Sequence, residues 1–94
     1  MATRAVKVWS WGGLWVAARS KQAARRFLVY EEEQEFGRGE YPSEVDLNSK
    51  IYFSYNACGD DLELGPEGMM SFTEILEFYK SRNFQCPMTI VREC

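Results

Sequence analysis

The sequence predicts an α+β fold: a mostly antiparallel sheet with two helices on one face, in the order β-β-α-(β)-β-α-β. Three observations carry that expectation. Gly12-Gly13 separates two β-branched and aromatic runs, the signature of a two-residue hairpin. Two segments carry helix-start signals, Ser20 ahead of one and Ser71 ahead of the other. Pro87 blocks further helix before a last apolar run, Met88 to Arg92, which reads as a strand. A chain of 94 residues has room for a single domain, 1–94.

The hairpin comes first. Ala5 to Trp11 and Leu14 to Ala18 flank the two glycines, and both central positions of the favoured turn need positive φ. A loop of those two residues pairs Trp11 with Leu14, Ser10 with Trp15, Trp9 with Val16 and Val8 with Ala17. One face then carries Lys7, Trp9, Trp11, Leu14, Val16 and Ala18. The other carries Val6, Val8, Ser10, Trp15 and Ala17. Both faces are apolar, whereas an antiparallel sheet with one wet side shows one polar face.

Ser20 caps a helix read from Lys21 to about Gln34, with Ala23, Ala24, Phe27, Leu28 and Tyr30 as its apolar stripe. Its charges oppose the helix dipole: Lys21, Arg25 and Arg26 stand near the start, Glu31, Glu32 and Glu33 at the end. Phe36 to Ser43 contains Gly37, Gly39 and Pro42 and reads as a loop. Val45-Asp46-Leu47 is a short strand, Ile51 to Tyr55 a longer one, and Asn56 to Gly68 a polar loop. The second helix has the stronger local signature. Ser71 and Glu74 form a capping box, Met70 and Ile75 a hydrophobic staple, and Phe72, Ile75, Leu76 and Tyr79 a buried stripe. Lys80 and Arg82 suit its last turn, and Asn83 the left-handed position beyond it.

Composition removes several chemistries. Histidine is absent, and with it the commonest general base and metal ligand. Cys58, Cys86 and Cys94 include no Cys-x-x-Cys pair and read as reduced thiols of a cytoplasmic protein; the alternative is one bridge and a free thiol in a secreted chain. Arg4 and Lys7 precede an apolar stretch, but Ser10 and Gly12-Gly13 interrupt it, so it reads as strand rather than as a cleaved leader. No apolar run reaches the ~18 residues of a membrane span. Charge is divided along the chain: residues 1–30 hold +6 and residues 31–94 hold −9, for a total of −3. A sequence pI near 5.0 disfavours general nucleic-acid binding.

Four places could carry function. If both helices cover one side of the sheet, the hairpin face holding Trp9, Trp11, Leu14 and Val16 has nothing in the chain to cover it and becomes an interface. Two tryptophans present roughly 300–500 Å² of apolar surface, about the largest patch a soluble monomer shows. The alternative is that the 35–50 loop covers them. Arg19, Lys21, Arg25 and Arg26 surround the start of the first helix and could hold an anion, or could instead be paired with acids of the same chain. Tyr52 and Tyr55, with carboxylates, could line a small-molecule pocket between helices and sheet. Asp60, Asp61, Glu63 and Glu67 form an acidic loop, but the glycine of a calcium-loop frame is missing, so no metal is expected. Cys58 lies among acids, which raise a thiol pKa and speak against a nucleophile. No motif implies a cofactor, and no catalytic residue is assigned.

Leu14-Trp-Val-Ala-Ala-Arg-Ser-Lys-Gln-Ala-Ala-Arg-Arg-Phe27 and Met69-Met-Ser-Phe-Thr-Glu-Ile-Leu-Glu-Phe78 resemble small orphan bacterial domains carried on integron gene cassettes. The resemblance covers about a quarter of the chain and contains no family-specific motif. It implies a bacterial protein studied as an assembled oligomer, and it transfers no functional residue. The expectation from the sequence is a non-enzymatic binding or assembly module, homo-oligomeric through the hairpin aromatics. The alternatives are a small-molecule binder or enzyme, and an anion or nucleic-acid contact through residues 19–26.

Overall fold

The first described element is a tight hairpin. In the computed structural model, which describes residues 5–54, 67–82 and 84–93, β1 (Lys7–Trp11) and β2 (Leu14–Ala18) join through Gly12 (φ 54°) and Gly13 (φ 81°). Positive φ at both positions is what the twist-matched two-residue turn demands. The register is the one the turn dictates: Trp11 faces Leu14, Trp9 faces Val16 and Val8 faces Ala17.

Two further strands widen this ribbon. A short β3 (Ser43–Val45) adds to β1, and β6 (Met88–Arg92) adds to β2, both antiparallel, giving the order β3-β1-β2-β6. The β2–β6 ladder shifts register between Trp15 and Val16. A separate two-stranded sheet pairs β4 (Lys50–Ser54) with β5 (Glu67–Ser71). Helix α1 (Lys21–Tyr30) follows β2, and α2 (Phe72–Lys80) follows β5 without a break. The fold is α+β with antiparallel strand pairing, and the element order agrees with the sequence reading apart from the added β5.

The helices do not share a face. Ala24 and Leu28 of α1 pack on Trp9, Leu14, Val16 and Ala18, with Trp11, Phe27 and Phe36 at the margin. Phe72, Ile75 and Leu76 of α2, together with Phe53 of β4, pack on Val8, Ala17 and Ile90 from the opposite side. The expectation of two helices on one face is therefore corrected to one on each. The physical reason is the hairpin itself. Both its sides are apolar, and leaving either in water forfeits about 25 cal/mol per Å² of apolar surface.

Other boundaries move for local reasons. Helix α1 stops at Tyr30, short of Gln34: Glu33 takes a left-handed φ of 55°, and the Gln34 N–H turns back to the Leu28 carbonyl at 2.9 Å. The second helix carries the capping box read from its sequence. Ser71 Oγ accepts from the Glu74 N–H at 3.2 Å, and Glu74 Oε1 accepts from the Ser71 N–H at 3.0 Å. Ser71 is also the last residue of β5, opposite Lys50. Residues 67 and 68, read as loop, are strand because they continue the ladder with Phe53 and Ser54. Asn83, Tyr55, Cys58 and Cys94 lie outside the described residues.

Burial beneath α1 sets the cost of core changes. Leu28 is fully buried, so Leu28→Ala is expected to lower unfolding free energy by about 2–5 kcal/mol in a denaturant titration. Trp9 Nε1–H donates to the Ala18 carbonyl at 3.1 Å; Trp9→Phe keeps most of the ring burial, loses that donor, and is expected to cost about 1 kcal/mol.

Candidate binding face on the first helix

The predicted interface is closed by the chain's own helix. Trp9 and Leu14 are each 6% exposed and Val16 is fully buried. Trp11 is half-buried and stacks on Phe36, with ring centroids 4.0 Å apart and planes at 26°. Trp9, Trp11, Leu14 and Val16 are thus core and margin rather than a docking surface. Phe36 of the 35–50 segment supplies part of the cover that the sequence reading offered as its alternative, and α1 supplies the rest.

Covering that face leaves α1 with an outer side of its own. Ser20 starts the helix, its Oγ accepting from the Ala23 N–H at 3.1 Å. Ala24 and Leu28 turn inward, so Gln22, Arg26 and Tyr30, each four residues apart, run along the far side. Tyr30 is 76% exposed, the most exposed of the large hydrophobic residues described. Its assignment to the buried stripe is corrected: at 3.6 residues per turn it sits about 200° around the helix from Leu28.

This row of three is a ridge between two open grooves. On one side, an apolar groove of about 580 Å³ is walled by Ala23, Phe27 and Pro87, with Glu31 at its end. On the other, a groove of about 340 Å³ is walled by Arg25, Val29 and Tyr41. Cations rest on rings beside the second groove. Lys21 Nζ lies 4.9 Å from the Tyr41 ring centre, and the Arg25 guanidinium lies 5.3 Å from both Tyr41 and Phe36. Arg25 also reaches the Gly37 carbonyl at 3.4 Å, while its buried Nε has no partner.

The four basic residues named from the sequence are divided by the fold. Arg25 and Arg26 border the grooves; Arg19 and Lys21 join Lys7 around a separate opening of about 410 Å³ at the helix start. Among the described residues, none of Arg19, Lys21, Arg25 and Arg26 forms an ion pair. Pairing with the described acids of the same chain is therefore not what occupies them. Lys7 alone of that opening is paired, with Glu44 at 3.3 Å.

One acid at the end of α1 is committed elsewhere. Glu32 accepts from both terminal nitrogens of the Arg92 guanidinium, at 3.1 and 2.9 Å, and from Thr89 Oγ1 at 2.5 Å. Its side chain is only 13% exposed. Burial pushes the Glu32 carboxyl up, but the hydrogen bonds from Thr89 and Arg92 and the arginine charge outweigh it and hold the carboxyl below its ordinary value. The group clamps the end of α1 to β6. Glu31 and Glu33, on either side of it in sequence, are exposed.

The remaining sequence candidates lie away from these grooves or outside the described residues. Tyr52 is 57% exposed on the β4–β5 hairpin, its hydroxyl donating to Glu67, and it lines none of the grooves described above; Tyr55 lies outside the described residues. Asp60, Asp61 and Glu63 lie outside them too. Among the described residues, no three cysteines or carboxylates stand close enough to hold a metal ion, and no helix is long and apolar enough to cross a membrane. Cys86 is unbridged, and burial pushes its thiol above the usual range, away from nucleophilic character. Sequence reasoning missed Gln22, Tyr41 and Pro87 as surface-forming residues. A helical wheel exposes Gln22, whereas Tyr41 and Pro87 reach the face only through tertiary packing. Comparison with protein families, with curated proteins and with solved structures finds no match to this chain.

The Glu32 clamp gives a pH-dependent contribution to stability. A carboxyl whose pKa falls on folding stabilises the fold above its unfolded value and loses that contribution as pH falls through the folded value. Acid unfolding followed by circular dichroism is expected to show this limb below about pH 4.5. In Glu32→Gln the limb flattens, and stability at neutral pH drops by about 1 kcal/mol.

Proposed function

We propose that this chain is a non-enzymatic binding and assembly module whose working surface is the outer face of α1. The observation that carries this reading is the Gln22–Arg26–Tyr30 ridge between two open grooves, with exposed aromatic rings beside cations that pair with no described acid. Such a face offers apolar contact and unsatisfied positive charge together, and it suits a partner that is both acidic and partly apolar. Cation–aromatic stacks hold Lys21 and Arg25 in place at a cost already met within the monomer. A protein partner is favoured over nucleic acid. The face joins exposed apolar and aromatic surface to only a few cations, and the whole chain carries −3, whereas nucleic-acid affinity comes mainly from neutralising many phosphates. The unbridged Cys86 suits a reducing, cytoplasmic setting.

The test uses poly-L-glutamate as an acidic probe and a twelve-residue oligothymidylate as a nucleic-acid probe, read by amide chemical-shift changes at low salt. Poly-L-glutamate is expected to shift residues 21–31 and 41, with the response falling several-fold between about 20 and 200 mM salt and in Arg26→Gln. Shifts confined to other surfaces, or stronger binding of the oligonucleotide, overturn the reading.

A further inference from the structure

We infer that the partner of this face is a second copy of the same chain, docked through antiparallel pairing of α1 with α1 about a two-fold axis. The inference rests on the binding face proposed above and names its occupant. Its first support is shape. Helices pack by seating the i, i+4 ridge of one in the groove beside the corresponding ridge of the other. Here a Gln22–Arg26–Tyr30 ridge and the Ala23–Phe27 groove beside it lie on the same exposed surface, so two copies can each supply both halves of the contact. A two-fold interface requires such self-complementarity.

The second support is charge. Helix α1 carries Lys21, Arg25 and Arg26 toward its start and Glu31 and Glu33 just past its end, opposite to the arrangement its own dipole favours. No described intrachain ion pair uses these cations, and the third acid, Glu32, is held by Arg92. An antiparallel neighbour reverses the sense. With the axis between Arg26 and Phe27, Gln22 and Ala23 of one copy face Glu31 and Tyr30 of the other. Arg26 lies about 6 Å along the axis from Glu31 of the second copy, within reach of an arginine side chain. The same axis places each Arg26 beside Phe27 of the other copy, which offers a ring to the cation.

The third consideration is size. A ten-residue helix is about 15 Å long, and pairing over that length with Pro87 at the edge stays below the ~800 Å² per partner of a standard interface. An interface of that size belongs with weak, reversible contacts.

Sedimentation equilibrium of the intact chain across about 5–1000 µM reads this directly. The parent is expected to move from 10.9 kDa toward twice that mass. Tyr30→Ala, Arg26→Glu and Glu31→Arg are each expected to weaken association about 10-fold or more. The double variant R26E/E31R is expected to return to within about 3-fold of the parent, because each reversed charge again meets its opposite across the axis. Circular dichroism and the melting temperature serve as folding checks, since Arg26, Tyr30 and Glu31 are all exposed. A parent that stays monomeric at about 1 mM, or a double variant as weak as its two single reversals combined, overturns the second-copy inference. If poly-L-glutamate still shifts residues 21–31 in that monomer, the binding face stands and its partner is another protein. If neither probe nor self-association engages the face, both proposals fail.

Discussion

The structure depends on one constraint: a hairpin of ten strand residues with no polar face. Trp9, Leu14, Val16 and Ala18 on one side and Val8 and Ala17 on the other all lose their water. A single cover cannot satisfy both. The chain therefore places α1 over the first set and α2 with β4–β5 over the second, and the sheet becomes the middle of the molecule rather than its wall. That arrangement removes the surface the sequence offered as an interface, and it creates another on the back of the helix used as the cover.

How α1 is fixed explains why its back is free to act. Alanines at 18 and 24 let helix and strand approach closely, and Leu28 fills the space beside them. The end of the helix is then held by Glu32 against Thr89 and Arg92 of β6. Packing and one clamped carboxylate do the anchoring, so neither the exposed ridge nor the cations near the helix start are needed to keep the helix in place. Arg25 is the exception, since its guanidinium rests on Phe36 and Tyr41 and ties the 36–41 segment to the helix.

Local chemistry was legible in the sequence, and relative placement was not. The Gly12-Gly13 turn fixes a register, and the register is the one observed. Ser20 and Ser71 cap helices because a hydroxyl at that position can accept from the third residue on, and both do. An amphipathic stripe, by contrast, says that a helix has a buried side but not which sheet face receives it, so both helices were assigned to one face. Strand β5 was hidden because Glu67-Gly68-Met69-Met70 has weak strand propensity and is extended only by pairing with β4. Tyr30 is apolar, but it stands about 200° around the helix from Leu28, so its apolarity alone does not place it in the buried stripe. Of the candidate site, the basic residues were visible as a cluster. Their freedom from ion pairs and the aromatic neighbours at 36 and 41 belong to tertiary structure.

The double duty of Ser71 has a mechanical consequence. One residue closes the β4–β5 ladder and opens α2, leaving no slack between them. Sliding that hairpin by a single position would drag the hydroxyl off the helix start and turn Phe53 from the interior toward solvent in the same movement. The second cover and its helix must therefore form and melt as one piece, whereas the first helix is joined to its strand through Arg19 and Ser20 and held separately, by its own core and the Glu32 clamp.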